Sequence, residues 1–67
     1  MPSTVVRQHH YEPAAQELTI TFVTGRRYIY ADVPEQVYAD FRAAYSKGTF
    51  FNKYIRDHYR CFEILPE

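Results

Sequence analysis

Residues 17–23 carry the clearest alternation of hydrophobic and polar positions in the chain. In this segment, ELTITFV, the large apolar side chains Leu18, Ile20 and Phe22 alternate with smaller, mostly polar ones. A repeat of two residues places successive side chains on opposite faces of a pleated strand. The pattern therefore predicts a β-strand whose face of Leu18, Ile20 and Phe22 is directed at a core.

Two further strands are predicted, one on each side of this segment. Residues 4–11 are rich in β-branched and aromatic side chains, and residues 12–16 have the composition of a hairpin loop. Residues 26–31, RRYIYA, form the third strand after a turn. The three strands together predict an antiparallel meander.

The turn at Thr24 and Gly25 decides which side of the third strand faces the core. If Gly25 is the left-handed third residue of a three-residue loop, Ile20 pairs with Tyr28, and both Tyr28 and Tyr30 face the core. If Thr24 and Gly25 form a two-residue turn instead, the register shifts by one residue and both tyrosines lie on the other face. The first alternative is favoured because Thr is poorly suited to the positive φ of a type I′ turn.

Two helices are predicted after the strands. Pro34 suits a first helical position, and Glu35 lies near the positive end of the helix dipole. The predicted inner stripe of the first helix is Val37, Tyr38, Phe41, Ala44 and Tyr45. Thr49 is the predicted cap of a second helix that reaches about Tyr59, and residues 61–65 are apolar enough to pack against the body. The predicted fold class is α+β: a three-stranded antiparallel sheet followed by two helices packed on one face.

Composition indicates one intracellular domain. A chain of 67 residues has room for a single domain, residues 1–67, and its seven Tyr and five Phe supply the large side chains that a small core needs. The lone Cys61 cannot form an internal disulfide, which favours a reducing compartment, the cytoplasm. The sequence contains neither a signal-peptide pattern nor an apolar run long enough for a membrane span.

Positive charge is concentrated in one part of this neutral chain. Eight Lys and Arg balance eight Asp and Glu overall, but residues 42–60 hold five cationic side chains against the single carboxylate of Asp57, a net charge of +4. A local excess of this kind is typical of a surface that contacts phosphates.

The order of residues along nearly the whole chain resembles a known family. The resemblance is carried by Tyr11, the strand from Leu18 to Phe22, Gly25, Tyr28-Ile29-Tyr30, Val33-Pro34, Val37-Tyr38, Ser46-Lys47-Gly48, Phe50-Phe51-Asn52, Ile55-Arg56 and Tyr59. In this order they resemble the KTSC domain, a family named after the C-terminal extension of some lysyl-tRNA synthetases. The resemblance implies a compact α+β domain of unknown activity, and the fusion to a tRNA-charging enzyme suggests RNA binding. One departure is His9-His10, where the family has an aliphatic residue and Gly, so a bulged or less buried first strand is expected.

The second helix is the strongest candidate for binding nucleic acid. Lys53, Arg56 and Arg60 follow one another at helical spacing, so they share a face on which they and Lys47 could contact phosphates. The alternative is an ordinary solvated helix face with Asp57 paired to Lys53. Likewise, the rings of Tyr28 and Tyr30 either form a stacking platform for bases or belong to the core.

No catalytic or metal-binding set can be assembled from the sequence, so no enzyme activity, cofactor, membrane partner or small-molecule substrate is expected. His9 and His10 point to opposite faces of a strand, and His58 with Cys61 supplies only two ligands. Two hypotheses therefore remain. The first is an RNA or tRNA binding module; the second is a module that binds another protein or a second copy of itself. The candidate contact surface for the second hypothesis is the uncovered sheet face with Thr19, Thr21, Val23 and Ile29.

Overall fold

The computed structural model describes residues 6–65. The elements in chain order are strand β1 (Val6–Glu12), strand β2 (Glu17–Phe22), strand β3 (Arg27–Tyr30), helix α1 (Glu35–Ala43), helix α2 (Lys47–Phe50), a π-helical segment (Phe51–Ile55) and strand β4 (Cys61–Ile64). The predicted start of the first strand, residues 4 and 5, lies outside the described residues.

The sheet has four strands, and the prediction of three is therefore wrong in number. All neighbours are antiparallel in the order β1-β2-β3-β4, and β4 pairs with β3 so that Cys61 lies opposite Tyr30 and Phe62 opposite Ile29. The free edge of β3 would otherwise leave its backbone groups without partners. Residues 61–64 add a strand at this edge.

The register of β2 and β3 confirms the three-residue turn. Ile20 pairs with Tyr28, Gly25 has a φ of +93°, and the amide of Phe22 donates a 2.8 Å hydrogen bond to the carbonyl oxygen of Arg26. Both tyrosines consequently lie on the helix-covered face. Tyr30 is 4% exposed and belongs to the core, and Tyr28 is half-buried beside it.

Helix α1 begins and ends close to its predicted bounds, but its inner stripe is shorter. Pro34 has the extended backbone of an N-cap residue, and Ala44 is again extended, so the helix ends before Tyr45. As a result Tyr45 is 83% exposed, and the prediction that it faces the core is wrong. Phe41 is the buried centre of this helix.

The second helix differs from the prediction at both ends. Its N-cap is Ser46, whose hydroxyl accepts a 3.3 Å hydrogen bond from the amide of Thr49, so Thr49 is not the cap. After α2 the helix widens to a π-helical turn, in which the amide of Arg56 bonds to the carbonyl oxygen of Phe51. The helix ends at Ile55, and the side chain of His58 donates to the carbonyl oxygen of Lys53 at 3.1 Å.

The core lies between one face of the sheet and the two helices. Its buried residues are Tyr11, Leu18, Ile20, Tyr30, Val33, Phe41, Phe51 and Ile55. Strand β1 has a bulge between Val6 and Gln8, whereas His9 and His10, at which the departure from the family pattern leads us to expect one, pair regularly with Ile20 and Thr19. His9 itself is half-buried on the core side, with its ring edge-on to Phe41 at 5.2 Å.

Candidate nucleic-acid interface

One face of the four-stranded sheet has no helix over it. Strand pairing brings together the side chains that point away from the core, because Thr19 lies between His10 and Ile29, and Ile29 lies opposite Phe62. We call this surface the open face; its residues are Gln8, His10, Thr19, Thr21, Arg27, Ile29, Phe62 and Ile64. These side chains are half-buried or exposed, so the surface is accessible to a partner.

A shallow cationic groove runs over the β1 side of the open face. It encloses about 400 Å³, and its lining residues are Arg7, Gln8, His9, His10, Thr19, Thr21 and Arg27. The lining, all within residues 6–65, contains two arginines and no carboxylate. Such a groove attracts anions, and its threonine hydroxyls can donate hydrogen bonds to them.

The β4 side of the open face combines an aromatic ring with a third arginine. The guanidinium carbon of Arg60 lies 5.6 Å from the ring centroid of Phe62, which is a cation–π contact. Phe62 is 52% exposed, so part of its ring remains free to stack on another flat group. The sequence predicts that Arg60 belongs to the second helix; in the structure it contacts Phe62 of strand β4 instead.

A cleft lies on the other side of the sheet, between the end of the β2–β3 hairpin and the π-helical segment. We call it the tyrosine cleft; it encloses about 460 Å³ and is lined by Phe22, Arg26, Tyr28, Tyr30, Phe51, Asn52, Arg56, Asp57 and Cys61. Three residues that the sequence singled out, Tyr28, Tyr30 and Arg56, meet here. Asp57 lines the same cleft, and Lys53, with which the sequence alternative paired it, is not among the lining residues.

Two side chains of the tyrosine cleft have altered proton affinities. Burial raises the pKa of Tyr30 to about 12, so its hydroxyl is protonated at neutral pH. The interaction of its side chain with Tyr28, followed by the charge of Glu63, raises the pKa of Arg26. Among residues 6–65 the Tyr30 hydroxyl has no hydrogen-bond partner, yet it is not sealed from solvent. It therefore faces the cleft.

The four basic residues proposed from the sequence lie on separate surfaces. Because the helix ends at Ile55, Lys53, Arg56 and Arg60 do not form a helical stripe, and that part of the prediction is wrong. The ammonium group of Lys53 lies 5.4 Å from the ring of Tyr54, and Lys47 is half-buried near His9. Their roles in binding stay predictions.

Sequence reasoning missed Arg7, Phe62 and the part that Arg27 plays on the open face. Alternation along β4 would have placed Phe62 beside Ile29, but only once β4 was recognised as a strand. Arg7 lies at the bulge, where simple alternation fails. No local sequence signal identifies either residue.

Within residues 6–65, no group of three or more His, Cys, Asp or Glu side chains is arranged to hold a metal ion. No helix among these residues is long and apolar enough to cross a membrane. Cys61 is an exposed free thiol.

Known proteins resemble the chain along most of its length. The sequence matches the family model for the KTSC domain over residues 2–59. A lysine–tRNA ligase of Nostoc punctiforme is 44% identical over 62 residues, which is 92% of this chain but 11% of the ligase, so the chain spans about a tenth of that relative. A protein of Tsukamurella paurometabola is 36% identical over 92% of both chains. The crystal structure of a KTSC domain protein from Yersinia pestis superposes with a TM-score of 0.85 at 32% identity, covering 97% of this chain and 94% of that one.

Proposed function

The chain belongs to the KTSC domain family, and from this premise we propose that it is a non-catalytic module that binds single-stranded RNA on the open face of its sheet. The observation that carries the proposal is the contact of Arg60 with the exposed ring of Phe62, on a face that also presents Arg7 and Arg27. An antiparallel sheet surface with an exposed ring and cations beside it suits an unpaired base and its phosphates.

The side chains of the open face and Arg60 beside it have different roles in the proposed complex, which follow from their chemistry. Phe62 provides a π-face that stacks on any base, and the guanidinium of Arg60 above it can pair with the adjacent phosphate. Arg7 and Arg27 extend the positive charge across the sheet, with Thr19 and Thr21 between them as hydroxyl donors. Since these groups contact phosphates and a ring face, binding is expected to depend strongly on salt and weakly on sequence.

The relatives support an RNA partner and a non-catalytic role. The domain is similar both to a small part of a lysine–tRNA ligase, which by its name acts on tRNA, and to a protein of about its own length. A module that occurs in both contexts fits an accessory binding role better than a step of the ligase reaction. The cytoplasm is the proposed compartment, since an exposed free thiol such as Cys61 persists in a reducing one.

The test is a fluorescence-anisotropy titration of a short unstructured RNA, of a tRNA and of an RNA duplex. We expect the unstructured RNA to bind most tightly, and its affinity to fall as salt rises from about 50 to about 200 mM. Phe62→Ala should weaken binding about tenfold, as loss of one stacked base does. Tyr54→Ala is the matched control, because Tyr54 is exposed to a similar degree, 48%, but lies on the helix side. Absence of binding at high micromolar protein in low salt would contradict the proposal.

A second candidate function, pairing with another protein or a second copy, would use the same face. Ile29, Phe62 and Ile64 give it apolar area, and both outer edges of the sheet, β1 and β4, are unpaired in the described chain. Light scattering separates the two functions. A dimer that dissociates on Phe62→Ala substitution and excludes RNA would favour association, and a monomer that binds RNA would favour the first proposal.

A further inference from the structure

We propose that the tyrosine cleft binds a single guanine nucleotide, with the base between the aromatic walls and the phosphate on Arg26 and Arg56. The cleft opens on the helix side of the sheet, whereas the open face is on the other side, so this site does not depend on RNA binding there. The same chemistry is presented by a free nucleotide and by an unpaired guanosine of an RNA, and the experiment below distinguishes them.

The size and walls of the cleft suit a flat heterocycle. Its volume of about 460 Å³ lies within the range of small-molecule sites. The rings of Phe22, Tyr28 and Phe51 meet edge to face, with Phe22 5.7 Å from Tyr28 and 5.3 Å from Phe51. Phe51 is 3% exposed, so the ring surface on which a base can pack is that of the half-buried Phe22 and Tyr28.

Two guanidinium groups approach the cleft from different elements. Arg26 comes from the turn between β2 and β3, and Arg56 follows the π-helical segment directly. Arg26 and Tyr28 line the same cleft, so a phosphate bound beside Tyr28 meets the guanidinium of the hairpin. A phosphate held between two guanidinium groups can accept several charge-assisted hydrogen bonds.

The polar groups inside the cleft favour guanine among the four bases. Guanine presents two adjacent N–H donors on one edge, and the carboxylate of Asp57 can accept both. The Tyr30 hydroxyl faces the cleft, has no hydrogen-bond partner within residues 6–65 and is protonated at neutral pH, so it can donate to the guanine carbonyl. Adenine, cytosine and uracil offer no pair of adjacent N–H donors, so none of them satisfies both oxygens of the Asp57 carboxylate in this way.

Nuclear magnetic resonance titration of the folded chain with each of the four nucleoside monophosphates tests the assignment. GMP is expected to shift the amides of cleft residues such as Asn52 and Cys61 in a saturable manner, with at least about tenfold weaker binding of AMP, CMP and UMP. Guanosine and inorganic phosphate, added separately, should each bind more weakly than GMP. A short RNA that ends in an unpaired guanosine identifies the second source if it shifts the cleft amides at lower concentration than GMP does. Equal affinity for all four nucleotides, or no saturable shift at millimolar GMP, would overturn the proposal.

Variants separate this site from the open face. Arg56→Gln should weaken GMP binding about tenfold, and Asp57→Asn should remove the preference for guanine while leaving AMP binding unchanged. Both side chains are exposed, so the variants are expected to fold. Lys53→Gln is the control for loss of a cation near but outside the cleft. Phe62→Ala should leave GMP binding intact, and GMP binding that is lost with Phe62→Ala would contradict a separate site.

Discussion

The hydroxyl of Tyr11 donates a buried 2.6 Å hydrogen bond to the carbonyl oxygen of Val33, and this bond connects β1 to the segment that leads into α1. Both residues belong to the core. The ring of Tyr11 also stacks on that of Tyr38, with centroids 4.6 Å apart, so the same side chain holds the start of the helix against the sheet. Strand β1 thus positions Val33, which lies 22 residues further along the chain and directly precedes Pro34, the N-cap of α1.

The Tyr11–Val33 bond predicts a measurable loss of stability in Tyr11→Phe. The substitution keeps the stacked ring but leaves a buried carbonyl oxygen without its donor, which costs about 1–3 kcal/mol. Urea denaturation monitored by circular dichroism provides the free energy of unfolding. Tyr54→Phe is the control, because this half-exposed side chain makes no hydrogen bond within residues 6–65, and its stability should stay close to that of the wild type.

Gly25 provides a second prediction, which concerns backbone conformation alone. A Cβ built at this position meets nothing within 4 Å, so any cost of Gly25→Ala comes from the φ of +93°. A side chain in left-handed backbone costs about 1–2 kcal/mol, offset in part by the lower entropy of the unfolded variant. Thermal unfolding should show Gly25→Ala to be destabilised, and Gly25→Asn less so because Asn tolerates this region. A Gly25→Ala protein as stable as the wild type would show that the turn does not need the left-handed conformation.

The register of β2 and β3 could be predicted because its determinants are local. Alternation in β2 fixes which residues face the core, and Gly25 fixes the length of the turn, so Ile20 opposite Tyr28 follows from a single hairpin. The core position of Tyr30 follows in turn, since its place on β3 is set by the same register.

The end of the second helix and strand β4 could not be predicted from the sequence, because they depend on contacts distant in the chain or on competing local bonds. The helical spacing of Ile55 and Tyr59 predicts a helix that reaches Tyr59, whereas the helix ends at Ile55. Beyond that end, the His58 side chain donates a hydrogen bond to the Lys53 carbonyl oxygen. Strand β4 forms because β3 offers a free edge. The contact of Arg60 with Phe62 is a consequence of that strand, and so the candidate interface could not be located beforehand.

His9 predicts a loss of stability in mild acid. Partial burial, then the positive charges of Lys47 and Arg42, lower the pKa of His9 below 6.5, and its Nδ1 lies 3.0 Å from the Tyr38 hydroxyl. Below about pH 6.5 the unfolded chain therefore takes up a proton before the folded one does, and the free energy of unfolding falls with falling pH until the folded pKa is passed. Above about pH 7 the residue has no such effect.

Urea denaturation between about pH 8 and about pH 5 measures this linkage. His9→Gln should flatten the pH dependence, whatever its effect at pH 8, because only the wild type loses stability through protonation of His9 as pH falls. His10→Gln, at an exposed position on the opposite face of the same strand, is the matched control for replacing an imidazole by an amide. An unchanged slope in His9→Gln would rule out His9 as the titrating group.

The positions of the arginines predict which charges govern the salt dependence of RNA binding. Removing two phosphate contacts from a single-stranded complex reduces the magnitude of the negative slope of log affinity against log salt by about 1.4. The double variant Arg27→Gln, Arg60→Gln should show that reduction, because Arg27 lies on the open face and Arg60 lies against the ring of Phe62 on that face. The double variant Lys47→Gln, Lys53→Gln removes the same charge from the helix side and should leave the slope nearly unchanged. A larger reduction in the lysine variant would place the interface on the second helix, as the charge distribution in the sequence first indicates, and would contradict the open face as the binding surface.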